Sequence, residues 1–397
     1  MYMEPIIDVD LNRGWPCKEQ LDLSMPLLDS ISSEEVMDLK NDYRSYEGTG
    51  GITSAKILFS QFIQVQPDEI YIGGTMSTSI MYDIINEFTF FGWNGNHPWK
   101  ASSDLISFIC PTPGYEKHFL ICERFGISMY SVPLLCDGPN IDVIENLLDN
   151  DKGIRGIWCV PKYSNPTGTI YSQEAIEQLI KLCTKYENFC LFWDNAYCIH
   201  HLTDSGTEIT NIIETAKKYG VENRVFIFSS TSKITFPGGG VAFVASSKDN
   251  IEYYTKRKIL QLKTGDKINQ LRHVRFLKNM KNTNLHMKKH RNIILPKFQL
   301  VDSILSNKLS DIEQVQWNQP LGGYFILLHL APHTAQIIYR NCLQKGILFT
   351  SPKSLFPYGN DSSDKYIRIA PTHPTMEQLE IAITTLTDEV LNLYKNV

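Results

Sequence analysis

Three short polar segments of the sequence combine residue types that can do chemistry together. Asn165-Pro166-Thr167-Gly168, Asp194-Asn195-Ala196-Tyr197 and Ser229-Ser230-Thr231-Ser232-Lys233 each follow an apolar run. A lysine amine can bond covalently to a carbonyl carbon, a carboxylate can hold a ring nitrogen protonated, and amide and phenol groups can hydrogen-bond to a phenolate oxygen. Singly, the first segment is typical of a β-turn, the aspartate of a helix N-cap and Ser-Lys of a surface dipeptide. Together, and in this order, they indicate a catalytic site.

The runs before these segments predict the elements that position them. Short apolar runs alternate with amphipathic stretches, which is typical of an α/β domain with a largely parallel sheet. Helices are predicted from Ser77, from Gln173 after the N-cap residue Ser172, from about residue 281, and from Thr375. The predicted strands cover residues 70–73, 105–110, 127–132, 154–160, 189–193, 225–228 and 241–245. Because open α/β sheets bind ligands at the carboxyl ends of their strands, the three polar segments should meet at one edge.

Composition and charge exclude several classes of protein. With 397 residues, 43% of them apolar and 20% charged, the chain suits a globular protein of two or three domains. A net charge of −5 argues against a dedicated nucleic-acid binder or a polybasic membrane anchor. No apolar run is long enough to span a bilayer, and the N-terminus lacks a signal-peptide pattern. The nine scattered cysteines argue against a disulfide framework or a zinc site and favour the cytoplasm.

The chain resembles a family that uses one particular cofactor. Pyridoxal phosphate needs a lysine, a carboxylate at its ring nitrogen, donors at its phenolate oxygen and a helix N-terminus for its phosphate. The chain is similar, over nearly its whole length, to the fold type I pyridoxal-phosphate aminotransferases, and most of all to a divergent subgroup of bacterial aspartate aminotransferases. The stretches that carry the resemblance are RGWP with QLDLS, YRSYEGTGG, PTPGYEKH, NPTG, DNAY, TSKITFPGGGVAF, NQLRHVRFL and YIRIAPTHP.

The resemblance implies an α/β fold of two domains. The large, cofactor-binding domain should cover residues 46–280 and contain a mostly parallel, seven-stranded sheet. A smaller α+β domain should cover residues 281–397, and residues 1–45 should form an N-terminal arm and part of that small domain. The resemblance implies no metal site.

The resemblance also implies the catalytic roles. Lys233 matches the lysine that forms the aldimine and then moves the α-proton as a general base, a task that needs a pKa lowered toward neutrality. Asp194 matches the carboxylate that pairs with the pyridine nitrogen. Tyr197 and Asn165 match the two groups that hydrogen-bond to the phenolate oxygen. Tyr115 matches the aromatic residue that stacks on the ring.

Further matches surround that centre. His118 matches a histidine that supports the ring-nitrogen aspartate from behind. The residues expected to bind the cofactor phosphate are Thr75, Met76 and Ser77 after Gly74, together with Ser230 and Ser232. Tyr46 matches a tyrosine that reaches the phosphate of the neighbouring subunit, so the resemblance implies a homodimer with composite sites.

The substrate side is predicted from the same comparison. Arg368 matches the arginine that holds the substrate α-carboxylate in a bidentate fork. Asn165 and Gly14 are expected to contact the substrate as well, with Arg13 as a looser possibility.

One position departs from the common family pattern. A phosphate-binding arginine is usual eight residues after the lysine, where this chain has Val241; the divergent subgroup also lacks that arginine. The basic segment between residues 256 and 291 is either a solvated helix face or the source of the missing charge. In the second case, Lys267 or Arg272 supplies it, either within the chain or across the dimer interface.

The resulting functional prediction is transamination between an L-amino acid and a 2-oxo acid by a ping-pong mechanism. Aspartate and 2-oxoglutarate are the expected pair, although no arginine can be matched to a site for the distal carboxylate. Alanine or an aromatic amino acid is the alternative donor. A pyridoxal-phosphate lyase or decarboxylase is a second hypothesis, and a cofactor-sensing regulator is a third, for which the arm is too short to hold a DNA-binding module.

Overall fold

A computed structural model describes residues 8–37, 42–46 and 48–395 of the chain. Of the motif YEGTGG, Glu47 therefore lies outside the described residues. The strands are β1 Val9–Asp10, β2 Ile70–Ile72, β3 Ser107–Thr112, β4 Ser128–Leu135, β5 Gly138–Pro139, β6 Ile154–Cys159, β7 Cys190–Asp194, β8 Val225–Ser230, β9 Ala242–Ala245, β10 Gln316–Trp317, β11 Ile326–His329, β12 Ile347–Leu348 and β13 Tyr366–Ile369.

The helices lie between these strands in the alternation that the sequence predicts. The α-helices are α1 Lys18–Asp22, α2 Thr53–Phe62, α3 Ser77–Phe90, α4 Glu116–Phe125, α5 Ile141–Asn150, α6 Gln173–Lys185, α7 Ile212–Tyr219, α8 Lys248–Gln261, α9 Lys267–Leu277, α10 Met280–Leu309, α11 Ala335–Gln344 and α12 Met376–Lys395. Short 3-10 helices cover Met25–Leu27, Trp99–Ala101, Glu222–Arg224, Pro237–Gly239, Pro352–Leu355 and Pro357–Gly359.

The main sheet has the strand order β2-β9-β8-β7-β6-β3-β4-β5. Strands β3, β4, β6, β7 and β8 run parallel to one another, whereas β9 runs antiparallel to both β8 and β2. The short β5 adds an antiparallel return after β4. The predicted mostly parallel sheet is thus confirmed, and its carboxyl edge collects the loops that follow β3, β6, β7 and β8.

The sheet is buried on both faces. Successive residues of a strand point to opposite sides, and each side packs into a hydrophobic core of its own. Ile157 and Leu191 belong to one hydrophobic core, and Trp158 and Phe192 belong to the other. The strand predicted from residue 105 begins later, at Ser107, because Leu105 is 71% exposed and lies before the buried run.

The C-terminal part of the chain builds a separate core. An antiparallel sheet of order β10-β11-β13 packs with α10, α11 and α12. The N-terminal arm joins this part, since β1 pairs in parallel with β12. Within the described residues, no helix is both long and apolar enough to cross a membrane.

Candidate active site

Lys233 lies just after β8, at the carboxyl edge of the sheet. Its Nζ is 4.6 Å from the centroid of the Tyr197 ring, which follows the neighbouring strand β7. Burial lowers the pKa of the Lys233 amine from its usual value. A neutral amine is the form that can attack a carbonyl carbon or accept a proton.

Asp194, the last residue of β7, is held from behind by His118 of α4. The His118 Nε2 to Asp194 Oδ2 distance is 3.1 Å, and both side chains are buried. The His118 ring also stacks on Trp158, with centroids 4.5 Å apart and planes 7° from parallel. Asp194 Oδ1 is buried and has no hydrogen-bond partner among the described residues. Because an unpaired buried carboxylate oxygen is costly, this atom is suited to a donor brought by a ligand, such as a protonated ring nitrogen.

Two tyrosines of the site are kept in the phenol form. Burial raises the pKa of Tyr115 to about 12, and burial raises the pKa of Tyr197 further. Tyr115 follows β3 and packs edge-on against His118, with ring centroids 5.1 Å apart. Both hydroxyl groups therefore donate, rather than carry charge, at neutral pH.

Arg368 of β13 comes from the smaller part of the chain and meets Asn165, which lies in the loop after β6. Arg368 Nη1 donates to Asn165 Oδ1 at 2.9 Å, and Nη2 donates to the Asn12 carbonyl at 2.6 Å and to Thr350 Oγ1. Its Nε has no partner among the residues that the structure describes. Burial lowers the pKa of Arg368 to about 10, which leaves it charged at neutral pH.

Gly14 of the arm lies against Phe325, the ring that packs under the Arg368 guanidinium. The Arg368 guanidinium stands 4.5 Å from the centroid of the Phe325 ring, and a Cβ on Gly14 would lie 2.4 Å from that same ring. Only glycine fits the approach. Arg13, in contrast, stacks on Trp15 at 4.3 Å and lies 3.5 Å from Asp10, so its charge has partners within the arm itself.

The predicted phosphate-binding residues surround the N-terminus of α3. Gly74 has φ +75°, and Met76, the N-cap residue, provides no side-chain cap, so the first N–H groups of the helix are available to an anion. Thr75 is exposed and Ser77 is buried. The fold brings the loop after β8 to this place.

A glycine makes that approach possible. Ser230 Oγ and Ser232 Oγ lie 2.6 Å apart, and a Cβ on Gly240 would be 3.1 Å from the Thr75 carbonyl oxygen and 3.3 Å from the Ser232 nitrogen. The next residue, Val241, is buried. The loop thus brings hydroxyl groups to the helix N-terminus, and the usual arginine position carries an apolar side chain.

Three predicted residues are not brought to Lys233 within one chain. Tyr46 is 77% exposed, and its ring lies 5.7 Å from Lys263 Nζ. Lys267 is buried, and its Nζ donates to the Asp42 carbonyl at 3.3 Å and to Ser45 Oγ at 3.2 Å. Arg272 Nε is buried and has no hydrogen-bond partner in the described part of the chain.

The structure adds residues that the sequence did not single out. Asn12 and Thr350 hold Arg368, Phe325 lies under it, and Tyr324 and His200 contact the Lys233 carbonyl. The sequence contained one sign of this packing, the glycine pair before Tyr324. A Cβ on Gly322 would lie 2.3 Å from the Tyr163 ring and 2.5 Å from the His200 carbonyl oxygen. A paired glycine before an apolar strand indicates such a close approach.

Comparison with known proteins agrees with the class that this fold and site define. An α-aminoadipate aminotransferase of Thermus thermophilus, solved as a complex with N-(5'-phosphopyridoxyl)-L-leucine, shares the fold at a TM-score of 0.77 and 18% identity, covering 98% of this chain and 93% of that one. The fold is therefore that of the fold type I pyridoxal-phosphate enzymes, as predicted.

The family follows from nearer relatives. The family model "Aspartate amino-transferase" matches residues 5–392, so the chain belongs to this family and is an aminotransferase. A protein of Mycolicibacterium smegmatis assigned as an aminotransferase is 40% identical over 96% of this chain and 90% of its own length. The aspartate transaminase structure of Corynebacterium glutamicum is 36% identical in sequence and has a TM-score of 0.93. The match covers 96% of this chain and 90% of that chain. The predicted resemblance is confirmed.

Proposed function

We propose that the protein binds pyridoxal phosphate and transfers the amino group of an L-amino acid to a 2-oxo acid by a ping-pong mechanism. The observation that carries the proposal is the pairing, on neighbouring strands, of a Lys233 amine with lowered pKa and a buried Asp194 oxygen without a partner. The α-aminoadipate aminotransferase named above supports the cofactor, since it was solved with a phosphopyridoxyl amino acid.

The residues present fit the cofactor. Asp194 Oδ1 would accept a hydrogen bond from the ring N–H, and Tyr115 would lie against the ring. Tyr197 and Asn165 would donate hydrogen bonds to the phenolate oxygen. The N-terminus of α3, with Thr75, would bind the phosphate. When bound, pyridoxal phosphate supplies an aldehyde for the amine and a ring that accepts electrons from the bond to the α-hydrogen.

The chain's own groups then do the proton chemistry. The Lys233 amine, when it is free of the cofactor, would take the α-proton of the amino acid on Nζ and would later give that proton up again as a general acid. His118, 3.1 Å from Asp194 Oδ2, would hold the Asp194 carboxyl group in position beside the ring nitrogen. Arg368 holds the α-carboxylate in place, which favours loss of the α-proton over loss of carbon dioxide and therefore transamination over the decarboxylase alternative.

Lys233 is the residue whose assignment is tested first. Borohydride reduction of the yellow protein followed by peptide mapping should leave the covalent label on Lys233. Lys233→Ala should still bind the cofactor through the phosphate cup and lose α-proton transfer by several orders of magnitude. A label on another lysine would overturn the assignment.

For the substrate, we propose L-aspartate as donor and 2-oxoglutarate as acceptor. The support is the aspartate aminotransferase of Corynebacterium glutamicum, which is 36% identical over 95% of this chain. Both molecules carry a distal carboxylate, and burying that charge without a cation is unfavourable by several kcal/mol. Single-turnover spectra with aspartate, alanine and phenylalanine test the proposal. If alanine or phenylalanine converts the cofactor faster than aspartate does at equal concentration, aspartate is not the preferred donor.

We further propose that the active unit is a homodimer. Tyr46 is 77% exposed in the single chain, as a residue donated to a partner's phosphate would be. Mixing Tyr46→Phe with Lys233→Ala subunits should restore activity, because each hybrid then holds one intact site. Full activity in a monomer at micromolar concentration would contradict this.

The missing phosphate-binding charge is proposed to come from Lys267. Its ammonium group is buried against a carbonyl and a hydroxyl oxygen, a setting that leaves the positive charge without a carboxylate within hydrogen-bond distance in the described chain. It also lies beside the Tyr46 segment, whose role is proposed to be at the partner's phosphate. Arg272, with its unpartnered Nε, is the alternative.

A further inference from the structure

The N-terminal arm places a polar side chain in the interior close to Lys233. Gln20 of α1 is fully buried, although nothing in the proposed mechanism uses it. The Cys17 backbone N–H donates to Gln20 Oε1 at 3.1 Å. Because a backbone N–H is always a donor, this bond determines the orientation of the amide, and Nε2 must face the other way.

The amide nitrogen has two partners. Gln20 Nε2 lies 3.0 Å from His290 Nδ1 and 3.0 Å from the Tyr324 hydroxyl oxygen. Burial lowers the pKa of His290 to about 3, so the ring is neutral and its Nδ1 accepts one of the two amide hydrogens. The second hydrogen goes to Tyr324, which leaves the hydroxyl hydrogen of Tyr324 for another acceptor.

That acceptor is the carbonyl group of Lys233. The Tyr324 hydroxyl donates to the Lys233 carbonyl oxygen at 3.3 Å, and His200 Nε2 approaches the same oxygen at 3.4 Å. The Tyr324 ring also faces the amine, with its centroid 5.9 Å from Lys233 Nζ. The backbone and the side chain of Lys233 are therefore both in contact with the residue that Gln20 holds.

The other end of the same arm holds the substrate arginine. The Asn12 carbonyl accepts from Arg368 Nη2 at 2.6 Å, and the Trp15 carbonyl accepts from Thr372 Oγ1 at 2.8 Å, just beyond β13. One short segment thus contacts the proposed carboxylate site near residue 12 and the lysine site at residue 20.

We propose that Gln20 is a positioning residue, which acts through Tyr324 to hold Lys233 in place and ties that placement to the seating of the N-terminal arm. The inference rests on the proposed function only in giving Lys233 a catalytic task. A glutamine that served stability alone would affect unfolding and leave the ionisation of Lys233 unchanged.

The test measures the Lys233 amine in the apoprotein, without cofactor or turnover. Competitive labelling with trace acetic anhydride across a pH range, read by mass spectrometry of the Lys233 peptide, gives its pKa. The variants are Gln20→Met, which keeps the volume, and Tyr324→Phe, which removes only the hydroxyl. Tyr163→Phe is the matched control, since this buried tyrosine bonds to His201 Nδ1 at 2.6 Å instead of to Lys233.

The expected result is a rise in the Lys233 pKa by about 0.5–1 unit in both variants, because a looser lysine is better solvated. The double variant should show no larger shift than Tyr324→Phe alone, since Gln20 acts through that hydroxyl. In the loaded enzyme, kcat should fall about tenfold with KM for the amino acid unchanged.

An unchanged Lys233 pKa in folded Tyr324→Phe, or an equal shift in Tyr163→Phe, would overturn the inference. If Gln20→Met does not fold, the pair Tyr324→Phe and Tyr163→Phe decides alone. If the protein shows no transamination and the labelling shift still appears, the proposed function fails while the positioning role stands.

Discussion

The two ends of the proposed cofactor site are built differently. At the end that faces the ring nitrogen, Asp194, His118 and Trp158 are buried, His118 contacts both of the others, and all three come from one chain. At the phosphate end, Thr75 and Met76 are exposed, and the usual arginine position holds Val241.

The difference shows which requirements a single chain meets. A negative charge beside a ring nitrogen is useful only when water is excluded, so its supports must be internal. A phosphate arrives with its own charge and can be bound at an open helix N-terminus completed by other groups. We therefore expect mutations at the first end to change the reaction rate and mutations at the second to change the affinity for the cofactor.

Among the variants that compare the two ends of the site, the largest effect is expected at Asp194. Asp194→Asn keeps the size of the side chain and removes its charge, which should slow the first half-reaction by about 10²–10³-fold. Thr75→Val, the matched change at the other end, should weaken cofactor binding while the rate at saturation changes only a few-fold. Stopped-flow spectra and cofactor titration measure the two quantities. Equal rate losses in both variants would remove the distinction between the two ends.

A smaller effect is expected at Lys267. Lys267→Met should weaken the binding of inorganic phosphate and of the cofactor to the apoprotein by about 10–100-fold, the range for one charge-assisted bond. Lys281→Met, which removes an exposed lysine of α10, is the control. Calorimetric titration gives both affinities. If Lys267→Met binds phosphate as the wild type does, the charge comes from elsewhere, and Arg272→Gln is examined next.

Part of the acid sensitivity should come from His290, which is buried in the interior next to Lys233. Burial lowers the pKa of His290 to about 3, whereas an unfolded histidine titrates near 6.5. The unfolded chain therefore binds more protons below pH 6.5, and the stability contributed by neutral His290 is lost as the pH falls from 6.5 toward 3.

His290→Gln should accordingly flatten the dependence of unfolding free energy on pH by about 1.4 kcal/mol per unit between pH 6 and 4. Urea denaturation at several pH values measures the slope. His97→Gln, at an exposed histidine, should leave the slope unchanged. A wild-type slope in His290→Gln would mean that another group dominates acid unfolding.

The smallest effect is expected at a helix cap outside the cofactor site, which serves as a control for stability. Ser172 caps α6 by accepting a hydrogen bond from the Ala175 N–H at 3.1 Å. Ser172→Ala should lower the free energy of unfolding by about 1 kcal/mol and leave rate and cofactor affinity unchanged. Thermal melts and the two assays above check this. A change in either functional quantity would show that global stability alone can imitate the predicted effects.

The sequence by itself determined the family. It also showed that polar segments follow the strands and where helices such as the one from Gln173 begin. Periodic burial and capping are local properties, so the helix from Gln173 and the strand before Asp194 follow from neighbouring residues. The domain limits at residues 45 and 280, the homodimer, the cytoplasmic location and the roles of the site residues remain predictions.

Only the tertiary structure decided which distant groups meet. The contact between Arg368 and Asn165, the stacking of His118 on Trp158 and the link from Gln20 through Tyr324 to Lys233 join residues far apart in the chain. Such contacts leave no periodic pattern, because each depends on how two cores and an arm pack together and not on any local preference of the backbone.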